Sequence, residues 1–117
     1  MISPRRGEVY LVSFDPALGS EMRKTRPALI LQNDYSNRAS PVTIVAALST
    51  KFSEPLYPTE VLVGPEEGGL PRTSVVLLNQ LRTVDKQRLA RKLGRLRPAT
   101  MQAVNRALEI SLGLVEF

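Results

Sequence analysis

Asp15-Pro16-Ala17-Leu18-Gly19-Ser20-Glu21-Met22-Arg23-Lys24-Thr25-Arg26-Pro27 runs directly into Ala28-Leu29-Ile30-Leu31-Gln32-Asn33, and the change of character at Pro27 organises the reading of the whole chain. The first half is punctuated by Pro16 and Gly19 and is dominated by polar and charged residues up to Arg26, which is a loop composition. The second half is a short apolar run closed by Asn33-Asp34 and reads as a strand over Ala28–Gln32. Proline disfavours helical geometry in the residue before it, so Arg26 is expected to be extended. One guanidinium is thereby anchored at the mouth of a strand. Ser20, Glu21, Arg23 and Lys24 lie on the polar loop beside it, and such an arrangement suits a site.

Outward from this stretch, the pattern is one of short strands. Glu8–Phe14 is rich in β-branched and aromatic residues and reads as the first strand. Asn33–Pro41 holds Asn, Asp, Ser and Pro and reads as a loop. Val42–Ser49 is almost wholly apolar, so both faces of that strand should be covered. Thr50–Pro58 is a third loop carrying Phe52 and Tyr57; Thr59–Val63 is a short strand and Gly64–Arg72 a Pro/Gly-rich turn. Thr73–Val84 is the longest strand. Its apolar run is interrupted by Asn79, Gln80 and Arg82, and amides buried in a strand would need hydrogen-bond partners or a ligand. Asp85 suits the cap of a short helical turn over Lys86–Leu89, and Leu93–Leu96 a further short strand. Pro98 fits the first position of a helix, in which Met101, Val104, Leu108, Ser111 or Leu112 and Val115 form an apolar stripe with Ala103 and Ala107 beside it. The expected architecture is mainly β: a small curled antiparallel barrel with a C-terminal helix packed on the sheet, as one domain over residues 1–117.

Composition narrows the chemistry. There is no histidine and no cysteine among the 117 residues, which excludes zinc sites of the usual kind, disulfides, and every acid–base or nucleophilic scheme built on imidazole or thiol. Arg, Lys, Asp, Glu, Ser, Thr and Tyr remain. No apolar run approaches membrane-spanning length, and Met1–Gly7 lacks the apolar core of a signal peptide; a cytoplasmic address is the expectation. The net charge of +5 and pI of about 10.1 call for an acidic partner, most commonly nucleic acid. Arg82 to Arg106 holds eight Lys or Arg against one Asp, either a solvated surface or a stripe facing phosphates.

Six segments in order carry a family likeness: Arg6-Gly7-Glu8-Val9-Tyr10-Leu11, Gly19-Ser20-Glu21, Thr25-Arg26-Pro27-Ala28, Gln32-Asn33-Asp34, Ile44-Val45-Ala46-Ala47-Leu48-Ser49 and Leu78-Asn79-Gln80-Leu81-Arg82-Thr83-Val84-Asp85. Together they resemble the MazF/PemK toxins, the toxic halves of bacterial toxin–antitoxin pairs, nearly from end to end. The resemblance implies an SH3-like curled β-barrel, a homodimer, and sequence-specific cleavage of single-stranded RNA, mRNA included, without a metal or other cofactor. The products implied are a 2′,3′-cyclic phosphate and a 5′-hydroxyl. A MazE-like antitoxin is implied as partner, its C-terminal segment lying over the dimer. The family's catalytic arginine falls on Arg26 and its catalytic threonine on Ser49, where the hydroxyl is kept and the stiffening methyl lost. Thr50 is adjacent, and strand alternation would turn it to the opposite face if the strand reached so far. The family's acidic residue falls on Glu21 and its strand glutamine on Gln80.

Cutting RNA with its own 2′-hydroxyl requires a base, a cation or donors on the phosphorane, and an acid for the leaving oxygen. Arg26 suits the phosphate, because a guanidinium fork matches two phosphate oxygens. Ser49 can add one donor. Glu21 is preferred as the base, because arginine with a pKa above about 12 is a poor one; an ion pair with Arg23 or Arg26 is its structural alternative. Candidate RNA contacts are Ser20, Arg23, Lys24, Phe52, Tyr57, Asn79, Gln80 and Arg82, the aromatics as stacking surfaces or, alternatively, as fillers of a pocket or a dimer contact. The competing reading is a toxin of the same fold that poisons gyrase by binding alone. The pairing of Arg26-Pro27 with Ser49, for which a binder has no need, separates the two.

Overall fold

The computed structural model describes residues 3–14 and 25–116. Six strands, β1 (Glu8–Ser13), β2 (Thr25–Ile30), β3 (Val42–Ser49), β4 (Glu60–Val63), β5 (Ser74–Asp85) and β6 (Leu89–Arg95), form one sheet in the order β4-β5-β3-β2-β1-β6. Every neighbouring pair is antiparallel. A one-and-a-half-turn helix, α1 (Asp34–Ala39), joins β2 to β3, and α2 (Pro98–Ser111) follows β6.

The central strands bury both faces, as the almost wholly apolar run of β3 requires. Val9, Leu29, Ala46 and Leu48 point to one side, where Val104 and Ala107 of α2 complete the core. Their neighbours Tyr10, Val12, Ala28, Ile30 and Val45 point to the other side and pack with Val84 and Leu89. Such a two-sided arrangement needs a curled sheet, and two features supply the curl. One is a wide bulge in β5: Ala46 pairs with Leu81 but Ala47 with Leu77, so three residues, Leu78 to Gln80, stand against no partner on β3. The other is a backbone-on-backbone crossing between the turn after β4 and β6. A Cβ on Gly69 would lie 2.1 Å from the Leu93 carbonyl oxygen, and one on Gly94 2.6 Å from the Gly68 carbonyl carbon. Only glycine allows the two ends of the strand order to meet so closely.

α2 lies across β4 and β5. Val104 and Ala107 are fully buried, Met101 and Leu108 pack alongside, and the Ser111 hydroxyl donates to the Leu78 carbonyl at 2.7 Å. The stripe is narrower than the periodicity suggests: Ala103 and Leu112 face solvent. Pro98 takes the first helical position, as expected, and the Glu67 carboxylate replaces the missing side-chain cap, accepting from the Arg97 amide at 3.0 Å. Burial pushes the Glu67 carboxyl up, but the Thr100 hydroxyl, the Arg97 amide and the Arg97 guanidinium outweigh it and hold it below the usual glutamate range.

The segment Asn33–Pro41, expected as a loop, instead contains α1. Asn33 caps it by accepting from the Ser36 amide at 2.8 Å, and Asp34 sits in its first turn. No apolar periodicity betrays the helix, because the residue it buries is an asparagine. Asn37 is wholly inaccessible and bonds on all sides: it accepts from Thr43 Oγ1 at 2.7 Å and Gln32 Nε2 at 3.0 Å, and donates to the Gln32 carbonyl at 2.9 Å. Asp34 in turn accepts from the Arg6 amide at 2.7 Å, and that bond leads the causes that hold its carboxyl below the usual aspartate range. The Arg6 guanidinium donates to the Leu31 carbonyl at 2.7 Å and to Asn105 of α2 at 2.8 Å. Arg6 and the Gln32-Asn33-Asp34 run are thus framework residues that tie β2, α1 and α2 together.

Candidate active site

β2 begins at Thr25, earlier than the sequence suggests, so Arg26 is the second residue of a strand rather than the last of a loop. It is held on one side by β1, where it lies across from Val12. On the other side the β2–β3 ladder runs Ile30↔Val45, Leu29↔Ala46 and Ala28↔Ala47. Pro27, which has no amide to give, lies just beyond the end of that ladder. Continuing the same register sets Arg26 directly across from Ser49, the last residue of β3. Arg26 has the alternation of Ala28 and Ile30, and Ser49 that of Val45, so both belong to the sheet face turned away from α2. Directly opposed residues on antiparallel strands have their Cβ atoms about 5 Å apart. Arg26 and Ser49 accordingly line one open cleft of 210 Å³, with Pro27, Leu48, Thr50 and Lys51.

The Ser49 hydroxyl is held in place by the backbone beyond the strand. It accepts from the Lys51 amide at 3.0 Å, and its own proton makes a longer bond of 3.3 Å to the Lys51 carbonyl. This local turn restricts a side chain that has lost the stiffness of a β-branched residue. The long bond leaves the proton readily redirected to a ligand in the cleft. Because β3 ends at Ser49, alternation does not carry Thr50 to the far face, and Thr50 shares the cleft with Ser49. The sequence expectation that separated these two hydroxyls on alternation does not apply.

Arg82 lies across from Val45 on the same face, with its guanidinium 4.8 Å from the centre of the Phe14 ring. This is a cation–π contact that leaves the outer edge of the fork to solvent. Asn79 and Gln80 sit in the β5 bulge and are exposed. The argument that they are buried amides in need of partners is therefore corrected: the bulge turns them out to water. Tyr57 is 72% exposed and Phe52 is half-buried. Ser20, Glu21, Arg23 and Lys24 lie outside the described residues. Sequence reasoning did not reach Lys51, because the turn that places it uses only its backbone amide and carbonyl and leaves no mark in the identity of its side chain.

The basic stretch from Arg82 to Arg106 does not form one stripe. Lys86 is buried, Arg88 donates to the Ser13 carbonyl at 3.2 Å, Lys92 pairs with Glu8 at 2.9 Å, and Arg97 pairs with Glu67 at 3.0 Å. Two larger clefts, of 360 and 330 Å³, flank the start of α2 and share Arg95 and Arg97. The first is also lined by Glu66 and Glu67, which repel an anion, and Arg97 is already committed to Glu67. The second holds Arg6, Arg95 and Arg97 but no hydroxyl, whereas the described lining of the smaller cleft beside Arg26 joins two cations with the hydroxyls of Ser49, Thr50 and Ser74.

The fold and the cleft together define a class: a small curled antiparallel sheet with a C-terminal helix that presents an arginine and a serine from adjacent strand ends into one open cleft. Residues 5–112 match the family described as the PemK-like, MazF-like toxin of type II toxin–antitoxin systems. The chain is 44% identical over 113 residues to endoribonuclease EndoA of Bacillus subtilis, covering 97% of each chain. It is 46% identical over 110 residues to endoribonuclease MazF of Staphylococcus saprophyticus, covering 94% of this chain and 92% of that one. Among solved structures, an endoribonuclease in complex with its cognate antitoxin from a mycobacterial species has a TM-score of 0.79 at 33% identity, covering 97% of this chain and 99% of that one. The MazF of Deinococcus radiodurans has a TM-score of 0.77 at 25% identity, covering 97% and 99%. The chain belongs to the PemK-like, MazF-like toxin family.

Proposed function

We propose that this protein is an endoribonuclease toxin that cuts single-stranded RNA at the Arg26–Ser49 cleft, acts as a homodimer, and is silenced by a cognate antitoxin. The observation that carries the reading is the register that sets Arg26 across from Ser49 in one open cleft. The Arg26 fork takes two non-bridging phosphate oxygens, and Ser49 turns its proton from the Lys51 carbonyl to one of them. The 2′-oxygen attacks phosphorus and the bond to the 5′-oxygen breaks. The 2′ proton passes to a base, assigned to Glu21, and the leaving 5′-oxygen takes up a proton from solvent water. The products are a 2′,3′-cyclic phosphate and a 5′-hydroxyl, formed without a metal ion. A preorganised donor aimed at the developing charge is worth roughly 3 kcal/mol, or about two orders of magnitude in rate.

The test is incubation of the purified protein with mixed-sequence RNA in excess EDTA, followed by sequencing of the new 5′ ends. Discrete fragments with 5′-hydroxyl ends are expected. Arg26→Ala should reduce cleavage at least about 100-fold while leaving the circular dichroism spectrum intact. Intact RNA with the parental protein would overturn the reading and favour a toxin that acts by binding alone. Parental rates from Arg26→Ala would remove the cleft from the chemistry.

A further inference from the structure

We infer that Lys51 is a second cation of this cleft and contacts the RNA backbone next to the phosphate held by Arg26; the inference rests on the cleft being an RNA site. Lys51 lines the same 210 Å³ cleft as Arg26 and Ser49. It is exposed. Its backbone is fixed by the two bonds to the Ser49 hydroxyl, so its side chain starts from a defined point at the cleft rim. Its charge has no ion-pair partner among the described residues, and its place in the cleft is what separates it from the exposed arginines elsewhere on the surface. Among the described residues the ion pairs are Lys92–Glu8 and Arg97–Glu67, and neither involves the cleft. Lys86 is buried, and Arg6 and Arg88 donate to backbone carbonyls.

The chemistry of the two cations differs in a useful way. Arginine offers a planar fork that fixes one phosphate in orientation. Lysine offers a compact charge on a flexible stem that tolerates a less defined position. A chain entering the cleft can therefore be held rigidly at the scissile group by Arg26 and more loosely at the adjoining phosphate by Lys51. The turn couples the two functions, because the backbone that holds the Ser49 hydroxyl is the backbone that carries the ammonium.

The experiment measures binding of a non-cleavable oligonucleotide, an RNA with 2′-deoxy substitution at the cut position, over a range of salt concentrations, alongside cleavage of the unmodified RNA. Lys51→Gln keeps the amide and the turn and removes the charge; Lys51→Arg keeps the charge. With Lys51→Gln, affinity should fall about tenfold near physiological salt, the loss of one charge-assisted contact. The slope of log affinity against log salt should flatten by about 0.7, the value for one phosphate contact on a single strand. Lys51→Arg should restore both, and thermal unfolding should be unchanged in either variant. An unaltered slope in Lys51→Gln overturns the inference, whether or not the rate changes, because a lysine that serves only the turn or the surface would not move it. If the parental protein binds RNA with this lysine-dependent slope yet never cuts it, the contact stands and the nuclease reading fails. If it cuts and the slope ignores Lys51, the nuclease reading stands and this inference fails.

Discussion

The crossing of Gly69 over Leu93 offers the sharpest physical test of how the sheet is held in its curl. Gly69, Gly113 and Gly64 form a graded series. Gly69 has φ +76° and its absent Cβ would sit 2.1 Å from the Leu93 carbonyl oxygen. Gly113 has φ +74° but nothing within 4 Å, and Gly64 has neither a positive φ nor a neighbour within 4 Å. Gly64→Ala should therefore be neutral or stabilising by up to about 0.5 kcal/mol, through the unfolded state. Gly113→Ala should cost the left-handed penalty alone, about 1 kcal/mol, or roughly 4 °C in Tm. Gly69→Ala must bear that penalty and also separate two backbones by more than an ångström, since ordinary contacts begin at 3.4 Å. Forced displacement of packed backbone costs about 3 kcal/mol more, a large share of a typical domain stability of about 5–15 kcal/mol. Urea unfolding followed by circular dichroism measures all three. The difference between Gly69→Ala and Gly113→Ala isolates the steric part, because the dihedral cost is common to both. If the two variants lose the same stability, the sheet ends are not locked at this crossing.

Four further outcomes follow from the same structure. Asn37→Ala leaves the buried Thr43 hydroxyl and the Gln32 carbonyl without their partner, and should lower unfolding free energy by about 3 kcal/mol in denaturant titration. Arg26→Lys keeps the charge but loses the fork, and should cut the single-turnover cleavage rate by roughly 10- to 100-fold. Ser49→Thr should keep cleavage, because the hydroxyl remains, whereas Ser49→Ala should lose about 100-fold in rate on the same RNA. Asp34 and Glu67 are held below their ordinary values in the folded state and Tyr10 above its own, chiefly by burial and then by Glu8. Stability from the two acids is present above their unfolded pKa values, near 4, and is lost as pH falls through the lower folded ones; that from Tyr10 is present below about 10 and is lost as pH rises beyond it. Tm measured across pH should therefore be flat from about 5 to 9 and fall on both sides.

The strands were legible because their signals are local. Val42–Ser49 is almost wholly apolar, and the structure ends β3 at the same residue. Asp85 as a cap and Pro98 as a helix start were equally readable, and Asp85 accepts from the Gln87 amide at 2.8 Å. What the sequence concealed was held by polar or backbone interactions. α1 buries Asn37 where a helix usually buries an aliphatic residue, so periodicity finds nothing. The β5 bulge is a mismatch between two strands, and one strand's sequence cannot show it; regular strand geometry alone therefore puts Asn79 and Gln80 inside. The basic stretch counted eight cations without showing that several serve the framework.

Arg26 and Ser49 are 23 positions apart in the chain, and no local pattern joins them. What joins them is register. In β2 and β3 the buried face fixes the pairing, because a slip of one residue would turn Ala28 and Ile30 from one core into the other. The hydrophobic pattern that makes the sheet therefore also sets the arginine across from the serine. A histidine-based site must orient an imidazole through further side chains. In the proposed site the strand pair orients the cation and the alcohol, the strand-end turn at Lys51 holds the hydroxyl, and the base assigned to Glu21 completes the set. Activity in such a site should depend on the fold through the β2–β3 register more than through any single neighbour of Arg26. Exchanging Ala47, which faces Ala28 across that ladder, for a larger residue is accordingly expected to lower cleavage even though Ala47 does not line the cleft.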